Sequence, residues 1–176
     1  MILNPDLQFQ RNDEQLFHGV GMLQHSTEGD KQPEKVLAYL AAAQLRRERS
    51  QAQGKTCATV LIVDDEETLA NTTAEILNIA GFCAFVAYDG KAALELAAEL
   101  TPDILLTDVV MPVMDGVDLA IAIRKRLPQT AIVLFSGQTG TTDILGKARA
   151  QGYSFELLAK PLHPLKLIEH LKKIIH

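Results

Sequence analysis

From residue 56 onward, short apolar runs alternate with stretches in which apolar residues recur every three or four positions. The runs are Ala58–Val63, Phe82–Ala87, Asp103–Thr107, Ala131–Phe135 and Phe155–Ala159. They are continuous rather than alternating, which predicts strands covered on both faces. Between them, Leu69, Thr73, Ile76, Leu77 and Ala80 mark one helical stripe. Ala92, Ala93, Leu96 and Leu100 mark a second, and Val117, Ala120, Ile121 and Ile123 a third. A fourth helix over 140–151 has a thin stripe of Ile144, Leu145 and Ala148. A fifth, from about Pro164 to Ile175, is expected to turn Leu165, Ile168, Leu171 and Ile175 inward.

Five strand–helix repeats with short connections predict an α/β fold, a (βα)5 chain whose parallel sheet has helices on both faces. Right-handed crossovers leave the doubly wound, flavodoxin-like order 2-1-3-4-5 as the natural arrangement of a five-stranded sheet.

Residues 1–55 differ. They carry seven Lys/Arg and seven Asp/Glu, so the chain's net charge of -5 falls on residues 56–176. Segments 29–34 and 50–55 contain breaker residues. Between them Pro33 can open a helix. Val36, Leu37, Leu40, Ala41 and Leu45 then follow at helical spacing, and Arg46, Arg47 and Arg49 suit the negative end of the helix dipole. A helix over about 34–49 is expected. An earlier one around 13–25 is interrupted by Gly19 and Gly21. The division is a partly helical N-terminal extension, 1–55, and a domain, 56–176.

Composition narrows the classes. Hydrophobic residues are 47% and charged residues 22% of the 176, the proportions of a globular domain. The acidic balance disfavours direct DNA binding. No apolar run reaches the roughly 20 residues of a membrane span, and residues 1–14 have no signal-peptide core. A cytoplasmic location is expected. Cys57 and Cys83 lie outside any CxxC pair, so they are expected to be thiols rather than a disulfide or zinc site.

In doubly wound folds ligands bind beyond the carboxyl ends of the strands. Those ends carry Asp64, Asp65 and Glu66 after the first strand, Asp108 after the third, Ser136 after the fourth, and Lys160–Pro161 after the fifth. Acids crowded at one sheet edge repel one another, and a hard divalent cation relieves the conflict. All-oxygen ligands point to Mg2+ rather than zinc. Lys160 adds a positive charge, and a cation plus an ammonium beside a carboxylate is an arrangement suited to phosphoryl transfer.

VLIVDDE (60–66), LLTDVVMPVMDG (105–116), FSG (135–137) and AKP (159–161) together closely resemble the motif set of bacterial response-regulator receiver domains, over about residues 58–176. The resemblance implies a phosphoacceptor role for Asp108. It implies Mg2+ held by Asp65 directly, by Asp64 through water, by Asp108, and by the backbone carbonyl of Val110. Ser136 and Lys160 match the residues that contact the phosphoryl group, Pro112 and Gly116 the turn after the acceptor, and Pro161 a commonly cis peptide. The implied partners are a histidine kinase or histidine phosphotransfer protein and a downstream protein target. Output through a protein contact or a phosphorelay step, rather than through a further domain, is expected, and a homodimer is compatible with the extension. The chain would assist its own phosphorylation without being a turnover enzyme.

Two positions depart from the family pattern. Leu157 stands where an aromatic switch residue is common, and Val110 sets an apolar side chain where water would approach, which implies slow dephosphorylation. Each motif also has a plain reading: an acid-rich helix start for 64–66, a solvated loop lysine, a turn serine, exposed histidines at His18 and His25, a helix-start His163, and loop packing for Met111 and Met114. The competing function is a receiver-like interaction module that is never phosphorylated. A small aspartate-nucleophile phosphohydrolase fits less well, because the position of its second acid is Val110.

Overall fold

A computed structural model describes residues 57–137 and 141–175, together with Ala41 and Leu45, which are helical. The remainder of the extension, including most of the helix expected over 34–49 and all of that around 13–25, lies outside the described residues. The order is β1 (Thr59–Val63), α1 (Glu67–Ile79), β2 (Cys83–Ala87), α2 (Gly90–Leu100), β3 (Ile104–Asp108), α3 (Gly116–Arg126), β4 (Ala131–Ser136), α4 (Thr141–Ala150), β5 (Glu156–Ala159) and α5 (Pro164–Ile174). The strands form one parallel sheet in the order β2-β1-β3-β4-β5. This is the predicted fold and strand order.

β1 and β2 are buried at every position, and β3 at all but its last, Asp108. That is why their sequences read as unbroken apolar runs. β5 departs from the expectation. Glu156, Leu157 and Ala159 are exposed and only Leu158 is half-buried. Among the described residues it is an edge strand, paired with β4.

Helix starts follow local chemistry. The Asp89 carboxylate caps α2 by accepting from the amide of Ala92 at 2.7 Å. Asp115 caps α3, accepting from Val117 and Asp118 at 2.9 and 2.8 Å. His163 caps α5 through Nδ1, accepting from Leu165, and Pro164 occupies the first turn. Side-chain acceptors at these positions satisfy amides that no helical carbonyl can reach.

The buried stripes follow the predicted ones with small rotations. α3 buries Val117, Ala120, Ile121 and Ile123 as expected. α1 buries Ala70, Thr73, Ala74 and Leu77, with Leu69 and Ile76 half-buried at the edge. On α5 the expected inward set is corrected. Leu167 and Leu171 are buried, while Leu165 and Ile175 are exposed. Leu165 lies in the first turn of α5. The layer between α1, α5 and the sheet joins Val60, Ile62, Leu77, Ile104, Leu106, Val133, Leu167 and Leu171.

A second correction concerns the cysteines. Cys57 and Cys83 are joined by a disulfide, with Cα atoms 5.7 Å apart. Their separation of 26 residues hid this. Parallel pairing of β1 with β2 sets Cys83 opposite Thr59, two residues after Cys57.

Candidate functional site

The sheet determines which side chains meet. β1 and β3 pair with Val63 beside Thr107, so Asp64 and Asp108, the next residues, emerge together at the carboxyl edge. Asp108 is itself paired with Phe135 on β4. Phe135 is paired with Leu158 and Ser136 with Ala159, which brings Lys160 to the same edge. Parallel register thus gathers residues separated by up to 96 positions in the chain.

Asp64, Asp65 and Asp108 each offer a carboxylate oxygen, and the three oxygens lie within 4.8 Å of one another. Asp64 is buried, Asp108 half-buried and Asp65 exposed. The Lys160 ammonium closes the group, donating to Asp64 Oδ2 at 2.7 Å and to Asp108 Oδ2 at 2.9 Å. Burial would by itself push the Lys160 pKa down. The hydrogen bonds to Asp64 and Asp108 outweigh that burial, and the net shift is upward. The lysine therefore stays charged.

The remaining predicted residues hold supporting places. The amide of Val110 approaches Asp108 Oδ1 at 3.4 Å, and its side chain is exposed. Ser136 is buried at the end of β4, and its carbonyl accepts from the amide of Lys160 at 2.7 Å. Glu66 begins α1 without capping it by its side chain and is exposed. Its amide donates to Asp64 Oδ1 at 3.0 Å, which orients that acid. The Lys160–Pro161 peptide is cis.

The connection from β3 to α3 is tightly built. The Gly116 amide donates to the carbonyl of Val109 at 2.9 Å. A Cβ on Gly116 would run into the Asp108 carbonyl and stand 3.1 Å from Thr107 Oγ1. Met111 is buried, and Met114 packs against Gly90 at the start of α2. Both methionines therefore pack the loop, as expected. Val113 has φ 67°, a conformation unusual for a β-branched residue, and its side chain is fully exposed.

Sequence reasoning assigned Phe135 no role. Its ring centroid lies 5.2 Å from the Lys160 ammonium, close enough for a cation–π contact. An apolar residue in an apolar run carries no signal of this. Only the pairing of Asp108 with Phe135 could have suggested it.

The donor set suits a hard divalent cation. The carboxylates are close enough to share one ion and are all oxygen donors, and no cysteine or histidine joins the cluster among the described residues. The edge also leaves exposed surface at Asp65 and Val110 through which an anionic group could approach.

Comparison with known proteins agrees with this geometry. Residues 60–172 match the response regulator receiver domain family. The chain is 33% identical over 118 residues to the transcriptional regulatory protein CpxR of Escherichia coli (strain K12), covering 66% of this chain and 48% of that protein. It thus spans about half the length of that relative. A response regulator receiver domain protein from Clostridium thermocellum superposes with a TM-score of 0.61 at 29% identity, over 67% of this chain and 94% of that one. The Vibrio cholerae chemotaxis protein CheY4 gives 0.61 at 30% identity, over 68% and 99%. Over residues 60–172 this chain belongs to the response regulator receiver domain family of two-component systems.

Proposed function

We propose that Asp108 accepts a phosphoryl group from a phosphohistidine donor, a histidine kinase or histidine phosphotransfer protein, and that the modified domain signals through a protein contact. The observation that carries this is the cluster of three carboxylates, two of which, Asp64 and Asp108, are held by the Lys160 ammonium.

In the proposed step an Asp108 carboxylate oxygen attacks phosphorus. The new O–P bond forms as the N–P bond of the donor histidine breaks, and the freed imidazole takes up a proton from water. Lys160 already touches Asp108 Oδ2 and is placed to contact an incoming phosphoryl oxygen. Mg2+ held by Asp64, Asp65, Asp108 and the Val110 carbonyl would supply further neutralisation of phosphoryl charge. Asp64, held by Lys160 and by the Glu66 amide, keeps its orientation throughout.

The product carries up to two negative charges. The Ser136 hydroxyl then turns to donate to a phosphoryl oxygen. Because the Ser136 carbonyl is bonded to the Lys160 amide, this movement is shared by the ends of β4 and β5. β5 and Leu165 at the start of α5 are exposed and form the surface a partner protein would read. Self-association through the extension is compatible with this reading. Val110, exposed beside Asp108, sets an apolar group where hydrolytic water would approach, so the acyl phosphate is expected to be long-lived for this family.

Incubation with acetyl phosphate and Mg2+, read by intact mass, tests the proposal. One phosphoryl group should be added to the wild-type chain, none to Asp108→Ala, and none in excess chelator. Mg2+-dependent labelling of Asp108→Ala would refute the acceptor assignment. Absence of both labelling and beryllofluoride binding in the wild type would favour an unphosphorylated interaction module.

A further inference from the structure

Cys57 and Cys83 are the chain's only cysteines, and they meet at the end of the sheet opposite the acids. Ordinary strand pairing brings them there. The Cys83 amide donates to the Ala58 carbonyl at 2.8 Å, and Cys83 stands beside Thr59. Cys57 precedes Thr59 by two residues, which sets it diagonally across from Cys83. The Cα separation of 5.7 Å lies within the range a disulfide spans.

The two sulfurs differ in access. Cys83 is buried in β2. Cys57 is half-buried and lines a cavity of about 700 Å³ together with Ala58, Phe82, Asp103, Lys172 and Ile174. Cys83 is not among the residues lining it. A cavity of that volume admits a small organic molecule, so a low-molecular-weight thiol or disulfide can come against Cys57, while Cys83 is buried.

We propose that Cys57 and Cys83 form a reversible thiol–disulfide site, opened and closed through Cys57 by small thiols and disulfides, which controls how firmly the chain ahead of Thr59 is held to β2. The inference goes beyond the phosphoacceptor reading and does not depend on it.

The closing reaction balances with a small disulfide as oxidant. The Cys57 thiolate attacks one sulfur of that disulfide, whose S–S bond breaks. A mixed disulfide forms on Cys57, and the first small thiol leaves with the proton Cys57 gave up. Cys83 then attacks the Cys57 sulfur. The protein disulfide forms, and the second small thiol leaves with the Cys83 proton. Two protein thiols are oxidised and one small disulfide is reduced to two thiols. Excess small thiol runs the sequence backward, attacking first at Cys57.

The consequence is local. Residues 57 and 58 precede β1, and the Cys83–Ala58 hydrogen bond lies at the end of its ladder. A strand end held by backbone bonds alone opens readily, while one tied covalently to its neighbour does not. The effect is confined to residues 57–59 and Cys83, at the end of the sheet opposite the carboxylate edge.

The test equilibrates the full chain in glutathione buffers from fully reduced to strongly oxidised. Samples are alkylated, measured by mass, and followed by amide exchange. Both thiols should convert together between the two extremes. Cys83→Ser should accumulate glutathione on Cys57, while Cys57→Ser should leave Cys83 largely unmodified. Should Cys83→Ser fail to fold, Cys83→Ala serves the same purpose. Amide exchange at residues 57–59 and at Cys83 should be roughly tenfold slower in the oxidised form. A native bond that persists in fully reducing buffer would overturn the proposal. So would failure to form it under oxidation, glutathione accumulating on Cys83, or identical exchange in the two states.

Discussion

The backbone carbonyl of Asp108 fills the space that a Cβ on Gly116 would occupy, with the Asp108 carbonyl carbon 2.8 Å from that position. The candidate phosphoacceptor and the first residue of α3 are thereby packed as one unit. The restriction falls on backbone, which cannot rotate aside as a flexible side chain could.

Gly116→Ala is therefore expected to push the β3–α3 connection outward. The cost should be about 1–3 kcal/mol, the range for forced overpacking. Labelling by acetyl phosphate should fall as well, because Asp108 moves with its carbonyl. Thermal unfolding and mass-detected labelling check both. A variant with unchanged melting and full labelling would show that the loop relaxes freely.

Gly146 gives the opposite expectation. It lies inside α4, is exposed, and an added Cβ would meet nothing within 4 Å. Gly146→Ala should raise stability by about 0.5–1 kcal/mol, the helix preference of alanine over glycine. Denaturant unfolding with an unchanged m-value would establish it.

Asp65 is the exposed member of the carboxylate cluster and makes no ion pair with Lys160 among the described contacts. Its charge adds repulsion that a metal would offset. Asp65→Asn should melt slightly higher than wild type in chelator, while losing most of the stabilisation that Mg2+ gives the wild type. Scans with and without Mg2+ read both effects, and an undiminished Mg2+ response would remove Asp65 from the ligand set.

Lys160 sets an alkaline limit. Its pKa in the folded chain is raised above the ordinary 10.5 by Asp64 and Asp108. A group whose folded pKa is raised contributes stability that is complete below the unfolded value and is lost as pH rises through the folded one. Stability should decline above about pH 10.5 as this ammonium is lost. Lys160→Gln should flatten that part of the pH–stability curve. An identical alkaline slope in both proteins would contradict the strength of the pairing.

Phe135 supports the same ammonium from the side. Phe135→Leu keeps an apolar side chain but removes the ring, and should slow phosphorylation by acetyl phosphate roughly 2–5-fold, the worth of an exposed cation–π contact of about 0.5–1 kcal/mol. Phe135→Tyr should restore the rate. Equal rates in all three proteins would leave the ring with a packing role only.

Much of this was legible in the chain. Continuous apolar runs announced buried strands because a parallel sheet between two helical layers has no wet face. Asp64, Asp108, Ser136 and Lys160 were identifiable because each directly follows or ends such a run, and ligand sites in this topology sit at strand ends. His163 was likewise legible as a helix-start residue, and it caps α5.

What the chain could not reveal depends on partners distant in sequence. The exposure of β5 follows from its place at the sheet edge, not from its letters ELLA, three of which are apolar. Residues within a strand know their alternation but not their neighbour, so the Phe135–Lys160 contact and the Cys57–Cys83 bond appear only once register is set. The same holds for Gly116. The family resemblance implied a turn there, but only the folded backbone shows that the space it leaves is taken by Asp108.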